Sequence, residues 1–238
     1  MNIKHLMIKQ IQYSQNRLLM NMLDPNYANA MASLPVHARV SDWLSLDSGS
    51  KLLELGCGPG KYVSMFSALG FNVVGVDPVN FDTWDELSKH ADVDLRCGVY
   101  AESLPFSDSY FDHAACLGTL LYIDKPDLAL NELRRVLKAG GRLVLRTVNK
   151  NNFYTLRTGR KLDPGSRNLF SMDELVVLLE RAGFEVEHTF SHGFWPPAFP
   201  DFWWYLDCVW VPLWLKNMLS QLTNPRNRVN NVIFARAI

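Results

Sequence analysis

The chain has 238 residues, 48% hydrophobic and 20% charged, which fits one large domain with appended segments and a sizeable core. Its 24 basic residues balance its 24 acidic ones, so nothing in the total favours a nucleic acid or an anionic membrane as partner. The four cysteines (Cys57, Cys97, Cys116, Cys208) form no CxxC pair and have no His at zinc spacing, so no metal site is expected and a reduced, cytoplasmic protein is the simplest reading.

The first residues, MNIKHLMIKQIQYSQNR, lack the apolar core and small-residue cleavage site of a secretion signal. Ile3, Leu6, Met7, Ile11, Leu18, Leu19 and Met22 recur at helical spacing, and Asp24-Pro25-Asn26 breaks the run. A second helical piece carries Val36, Val40, Trp43 and Leu44, so residues 1–48 read as a helical cap on a main domain of residues 49–238.

From Lys51 the texture becomes strand–helix alternation. KLLELG is a short apolar run ending in glycine, a buried strand; KYVSMFSALG places Val63, Phe66 and Leu69 on one helical face, with Gly70 at the helix end. NVVGVD, VDLRCG and SYFDHAACLG read as the next three strands, with WDELSKH a short helix between the first two. Asp124 is positioned to cap a helix over KPDLALNELRRVLKAGG, with Leu128, Leu133, Val136 and Leu137 as its apolar stripe and two glycines as its stop. RLVLRTV is a fifth strand. Ser171 and Glu174 form a capping box for a last helix stopped by Gly183, followed by FEVEHTF and NNVIFARAI as strands six and seven. The alternation predicts an α/β protein with a mostly parallel sheet covered on both faces, and an antiparallel pair at one edge.

Two local features stand out. Basic residues cluster at Arg157, Arg160, Lys161 and Arg167 and again at Arg226 and Arg228, patterns that a solvated loop explains as well as a phosphate contact. Residues 193–222 hold five of the seven tryptophans, and the run FWWYLDCVWVPLWL is too short and too interrupted, by Asp207 and Pro212, to span a bilayer. This aromatic segment fits a core addition, a lid over a pocket, or a dimer or membrane-surface patch.

In an open parallel sheet, ligands sit where the strands end and the topology switches, here at the loop Gly56-Cys57-Gly58-Pro59-Gly60. Asp77 ends strand two, 21 residues after Gly56, where a carboxylate can accept from both hydroxyls of a ribose. A dinucleotide site shares both features, but its fingerprint is GxGxxG, whereas this loop is GxGxG. Glu54, just before the loop, would repel a pyrophosphate and attract a cation, pointing to an ammonium or sulfonium ligand.

LLELGCGPGKY, VVGVDP, AESLPFSDSYFDHAACLGTLLYI and RVLKAGGRLVLRTVN, in that order, resemble the class I S-adenosylmethionine-dependent methyltransferases, in the branch that includes the ubiquinone- and menaquinone-biosynthesis enzymes. The resemblance covers residues 50–148 well and 170–190 less closely. It implies a Rossmann-like, doubly wound, seven-stranded sheet, mostly parallel with an antiparallel last strand; the N-terminal helical cap (1–48) and the aromatic-rich insertion (193–227) before that strand are not covered by it. It implies S-adenosylmethionine as cofactor, with Glu54 near the methionine end, Gly56, Cys57, Gly58 and Gly60 lining it, and Asp77 on the ribose. Pro78 and Val79 would border the adenine, Tyr100, Ala101 and Glu102 would touch its edge, and Cys116 and Leu117 would lie beneath the methionine portion. The family often has Asp where this chain has Tyr100, which would instead stack on the ring or offer its hydroxyl.

The implied reaction is in-line methyl transfer to an oxygen, nitrogen or carbon of a small, lipophilic or aromatic metabolite. No motif fixes a general base; His192, His37 and Tyr122 are the candidates, while His113 and His188 lie within strands. Trp195 and Trp203 are candidate substrate contacts from the aromatic segment. A cyclase or rearrangement catalyst using the same cofactor, a non-catalytic partner, a nucleic-acid methyltransferase and a nicotinamide oxidoreductase remain alternatives. No transmembrane segment is expected, and peripheral membrane contact stays open.

Overall fold

The computed structural model describes residues 49–90, 93–192 and 228–238, together with Trp43, Asn224 and Arg226. The expected N-terminal cap and aromatic insertion otherwise lie outside the described residues. Along the chain run β1 (Lys51–Leu55), α1 (Lys61–Ala68), β2 (Asn72–Asp77), α2 (Thr83–His90), β3 (Val93–Cys97) and β4 (Phe111–Leu117). A 3-10 turn (Leu120–Tyr122), α3 (Pro126–Val136), β5 (Leu137–Val148), α4 (Phe153–Thr158), α5 (Met172–Arg181), β6 (Phe184–His192) and β7 (Asn230–Ala237) follow.

The strands form one sheet in the order β3-β2-β1-β4-β5-β7-β6. The first five are parallel, and β7 slots antiparallel between β5 and β6. This is the Rossmann-like arrangement, with the order reversing beside β1. Two apolar layers follow from strand alternation. Leu53, Leu55, Cys116, Leu143, Leu145 and Ile233 face a layer closed by Leu130 and Leu133 of α3 and Leu175 and Leu179 of α5. Leu52, Ala115, Val144, Val232 and Phe234 face the other, closed by Val63 and Phe66 of α1 and Leu87 of α2. Trp43 covers the far end of that second face, its ring 5.4 Å from that of Phe234 and 5.6 Å from His188. His188 is thereby a packing residue.

The capping box forms as expected: Ser171 accepts from the Glu174 N–H and Glu174 from the Ser171 N–H. The start and end of α3 differ from expectation. Lys125, not Asp124, is its N-cap, and the Asp124 carboxylate pairs with Arg167 instead. The buried stripe is Ala129, Leu130, Leu133 and Val136, while Leu128 is exposed. The helix stops at Val136, and Leu137–Gly141 belong to β5, where the register jumps from Phe111↔Leu137 to His113↔Arg142. A bulge of this size is what Gly140, at φ +75°, and Gly141, whose added Cβ would meet the Asp112 carbonyl at 2.9 Å, make room for.

Candidate active site

β1 is buried on both faces except at its first residue, so the chain leaves the sheet only after Leu55. The exit loop is fixed from several sides. The N–H groups of Gly56 and Cys57 both donate to the Val76 carbonyl at the end of β2. Thr119, just past β4, donates its hydroxyl to the Gly56 carbonyl at 3.1 Å. Trp84 donates its indole N–H to the Gly58 carbonyl, and Thr83 its hydroxyl to the Pro59 carbonyl, both at 2.8 Å. Gly56 is required twice over: its φ is +70°, and a Cβ there would lie 2.1 Å from the Thr119 methyl. Gly58 has φ +51° but open space around it.

Asp77 ends β2 and turns its carboxylate to the loop. One oxygen accepts from the Gly58 N–H and the other from the Val79 N–H, each at 3.0 Å. An ionised carboxylate has about four acceptor sites, so both oxygens keep capacity toward the cleft.

Glu54 is 1% exposed. The Val63 N–H in the first turn of α1 bonds its carboxyl, and Oε2 has no hydrogen-bond partner among the described residues. Burial holds its pKa well above the carboxylate range, with Arg146 pulling the other way and Asp77 adding to the rise. Burial likewise raises the Cys57 thiol, and pushes that of Cys116 up to about 12. Neither is an activated nucleophile.

The loop, Glu54 and Asp77 open on a cleft of about 710 Å³ at the carboxyl ends of β1, β2, β4 and β5. Of the residues singled out in the sequence, Glu54, Gly56, Cys57, Gly58, Asp77, Pro78, Tyr100, Ala101, Glu102, Leu117 and Tyr122 line it. Gly60 lies behind the wall, where an added Cβ would meet Leu87 at 2.5 Å. Val79 is exposed beside the cleft, and Cys116 is buried within the sheet. The Tyr122 hydroxyl donates to the Asp163 carboxylate, also on the wall. His192 ends β6, in register with Asn230 of β7, and His37, Trp195 and Trp203 lie outside the described residues.

The cleft also uses residues that sequence patterns did not single out: Lys61, Tyr62, Thr119, Arg146, Thr147 and Asp163. Arg146 left a signal, a cation following the apolar run Leu143-Val144-Leu145 inside a strand. Arg167, read earlier as part of a basic loop, reaches the rim through its pair with Asp124.

Comparison with known proteins places this geometry. A family described as methyltransferase domain matches residues 53–145. A sterol 4-C-methyltransferase of Caenorhabditis elegans is 30% identical over 124 residues, 50% of this chain and 37% of that protein. The 24-methylenesterol C-methyltransferase 2 of Oryza sativa subsp. japonica is 30% identical over 198 residues, 76% of this chain and 53% of that protein. The chain thus spans only about a third to a half of the length of these relatives. The crystal structure of the cyclase SpnF shares the fold, with a TM-score of 0.64 at 24% identity over 87% of this chain and 80% of that one. The matched span starts in the strand that carries Glu54 and ends in the strand that carries Arg146, enclosing the loop and Asp77, so residues 53–145 are those of a methyltransferase domain of the class I S-adenosylmethionine-dependent kind.

Proposed function

We propose that the protein transfers a methyl group from S-adenosylmethionine to a small, lipophilic or aromatic metabolite. The observation that carries this reading is the pairing, in one cleft, of a buried carboxyl oxygen without a partner among the described residues (Glu54 Oε2) and a glycine loop with open space at Gly58. An orphaned buried acceptor beside an open cradle suits a ligand with cationic groups. Bound there, S-adenosylmethionine supplies a methyl group activated by its sulfonium.

The residues divide the work by position. Asp77 accepts from the ribose hydroxyls while it holds Gly58 in place. Pro78, Tyr100, Ala101 and Glu102 form the adenine side, and Gly56, Cys57 and Gly58 bring backbone against the centre. Glu54 and Leu117 border the methionine side. Leu121, Ile123 and Val148 give the acceptor side an apolar wall, and relatives named for sterol substrates support a lipophilic acceptor. For an acceptor that must lose a proton, Tyr122 with Asp163 is the pair on the wall able to receive it.

Incubation with methyl-labelled S-adenosylmethionine and a lipophilic metabolite extract tests the assignment. Labelled product together with S-adenosylhomocysteine is the expected result. Acceptor turnover without S-adenosylhomocysteine would mark a rearrangement catalyst, and tight binding of a nicotinamide dinucleotide with none of S-adenosylmethionine would end the reading.

A further inference from the structure

The acceptor side of the cleft carries a buried hydroxyl that neither cofactor binding nor proton removal calls on. Thr147 stands next to the end of β5, is 1% exposed, and lines the cleft. Alternation along the strand puts its side chain on the face of Leu143 and Leu145, in the layer that also holds Leu120 and Ile123 from the turn after β4. That turn packs against β5, and its Leu121 and Tyr122 line the cleft with Thr147. The glycine loop and Asp77 belong to β1 and β2, on the other side of β4.

Thr147 Oγ1 is buried and has no hydrogen-bond partner among the described residues. Its polar neighbours are turned elsewhere. Asn231 stands opposite it on β7, on the same face, yet its Oδ1 accepts from the Ser191 hydroxyl at 2.9 Å and its Nδ2 points to the Phe170 carbonyl at 3.4 Å. The Tyr122 hydroxyl is committed to Asp163. Buried hydroxyls are normally bonded, and one left open costs stability. A valine has nearly the same shape and would avoid that cost.

We propose that Thr147 determines acceptor specificity: its hydroxyl bonds an oxygen of the acceptor, so the substrate class is lipophiles that carry a hydroxyl on an apolar body. This rests on the S-adenosylmethionine reading and adds the group that tells such an acceptor from a plain hydrocarbon. A hydroxyl both donates and accepts, so Thr147 can meet the acceptor's hydroxyl in either sense. Leu121 and Ile123 face the apolar body. A site that hydrogen-bonds a substrate hydroxyl rejects the analogue lacking it, because its own polar group is then left unpaired.

Calorimetry on the full chain, saturated with S-adenosylhomocysteine, compares 2-naphthol with naphthalene, the same ring system with and without a hydroxyl. Wild type should bind 2-naphthol at least about threefold more tightly. Thr147→Val should lose that preference and Thr147→Ser should keep it, with naphthalene affinity within about twofold of wild type in both. The valine variant should melt, free of ligand, at the wild-type temperature or above, because it removes a hydroxyl that the fold leaves open. A preference that survives in Thr147→Val overturns the inference, as does wild type that binds the two probes alike or binds neither. So does a valine variant that melts several degrees lower or does not fold, which assigns the hydroxyl to the fold or to a buried water. S-adenosylhomocysteine titrated alone separates the two claims. Normal binding in all three proteins without a naphthol preference defeats only the role of Thr147; wild type that does not bind it defeats the cofactor reading and this inference with it.

Discussion

Replacing Asp77 by alanine isolates the contact on which nucleoside recognition is proposed to depend. The carboxylate accepts one backbone N–H on each oxygen, from Gly58 and Val79 at 3.0 Å. In the proposed function its remaining acceptor sites serve the two ribose hydroxyls. A hydrogen bond to a charged group contributes about 1.5–3 kcal/mol net. Losing even one therefore weakens binding roughly 10- to 150-fold, at about 1.4 kcal/mol per factor of ten. Release of the Gly58 N–H loosens the loop and adds to the loss. Titration calorimetry with S-adenosylhomocysteine, on Asp77→Ala and on the near-isosteric Asp77→Asn, gives the number directly. Alanine should cost more than tenfold and asparagine less, because one carbonyl acceptor survives. Thermal melting of the free variants should move only a few degrees, since both lost partners lie at the protein surface or near it. An alanine variant that binds within threefold of wild type would refute the reasoning and remove Asp77 from the site.

Three further outcomes are expected. Gly56→Ala should abolish ligand binding and lower stability strongly, because its Cβ has no room beside Thr119, whereas Gly58→Ala should cost only about 1–2 kcal/mol of backbone strain; urea unfolding of both variants compares them, and equal losses would contradict the geometry. Because burial raises the folded-state pKa of Glu54, the folded protein holds its proton more tightly than the unfolded chain, so stability should fall as pH rises from about 4.5 through the raised value; Glu54→Gln should flatten that decline in ligand-free unfolding curves, and identical pH slopes would speak against it. In native alkylation at pH 8 followed by peptide mass spectrometry, exposed Cys97 should react at least tenfold faster than buried Cys57 or Cys116, and comparable rates at Cys57 would reopen the case for a reactive thiol.

Much of the scaffold was legible because strand and helix periods are local. KLLEL, NVVGVD and the Ser171–Glu174 box declare themselves without tertiary information, and the glycine spacing with Asp77 located the loop. Features set by distant partners were not legible. Asp124 looks like a helix cap until Arg167, 43 residues later, claims its carboxylate. The LKAGG run looks like a helix end until β4 recruits it through a bulge. Glu54 could be seen to want a positive charge, but no local pattern placed Arg146 in the same cleft. Only strand register brings those two onto one face of the sheet.

The insertion of β7 between β5 and β6 also sets a timetable for folding. β6 is made before β7, yet it has no place in the sheet until β7 has docked on β5. That docking joins Val148 to Asn230 across about 80 intervening residues, a closure that costs about 2 kcal/mol more entropy than a ten-residue loop. Until then β6 waits with both edges unpaired and β5 presents an open edge beside the half-built cleft. Pairings of such long range are slow to form. The parallel half of the sheet, which carries the loop and Asp77, can thus assemble first, and the wall that bears Arg146 acquires its neighbour last.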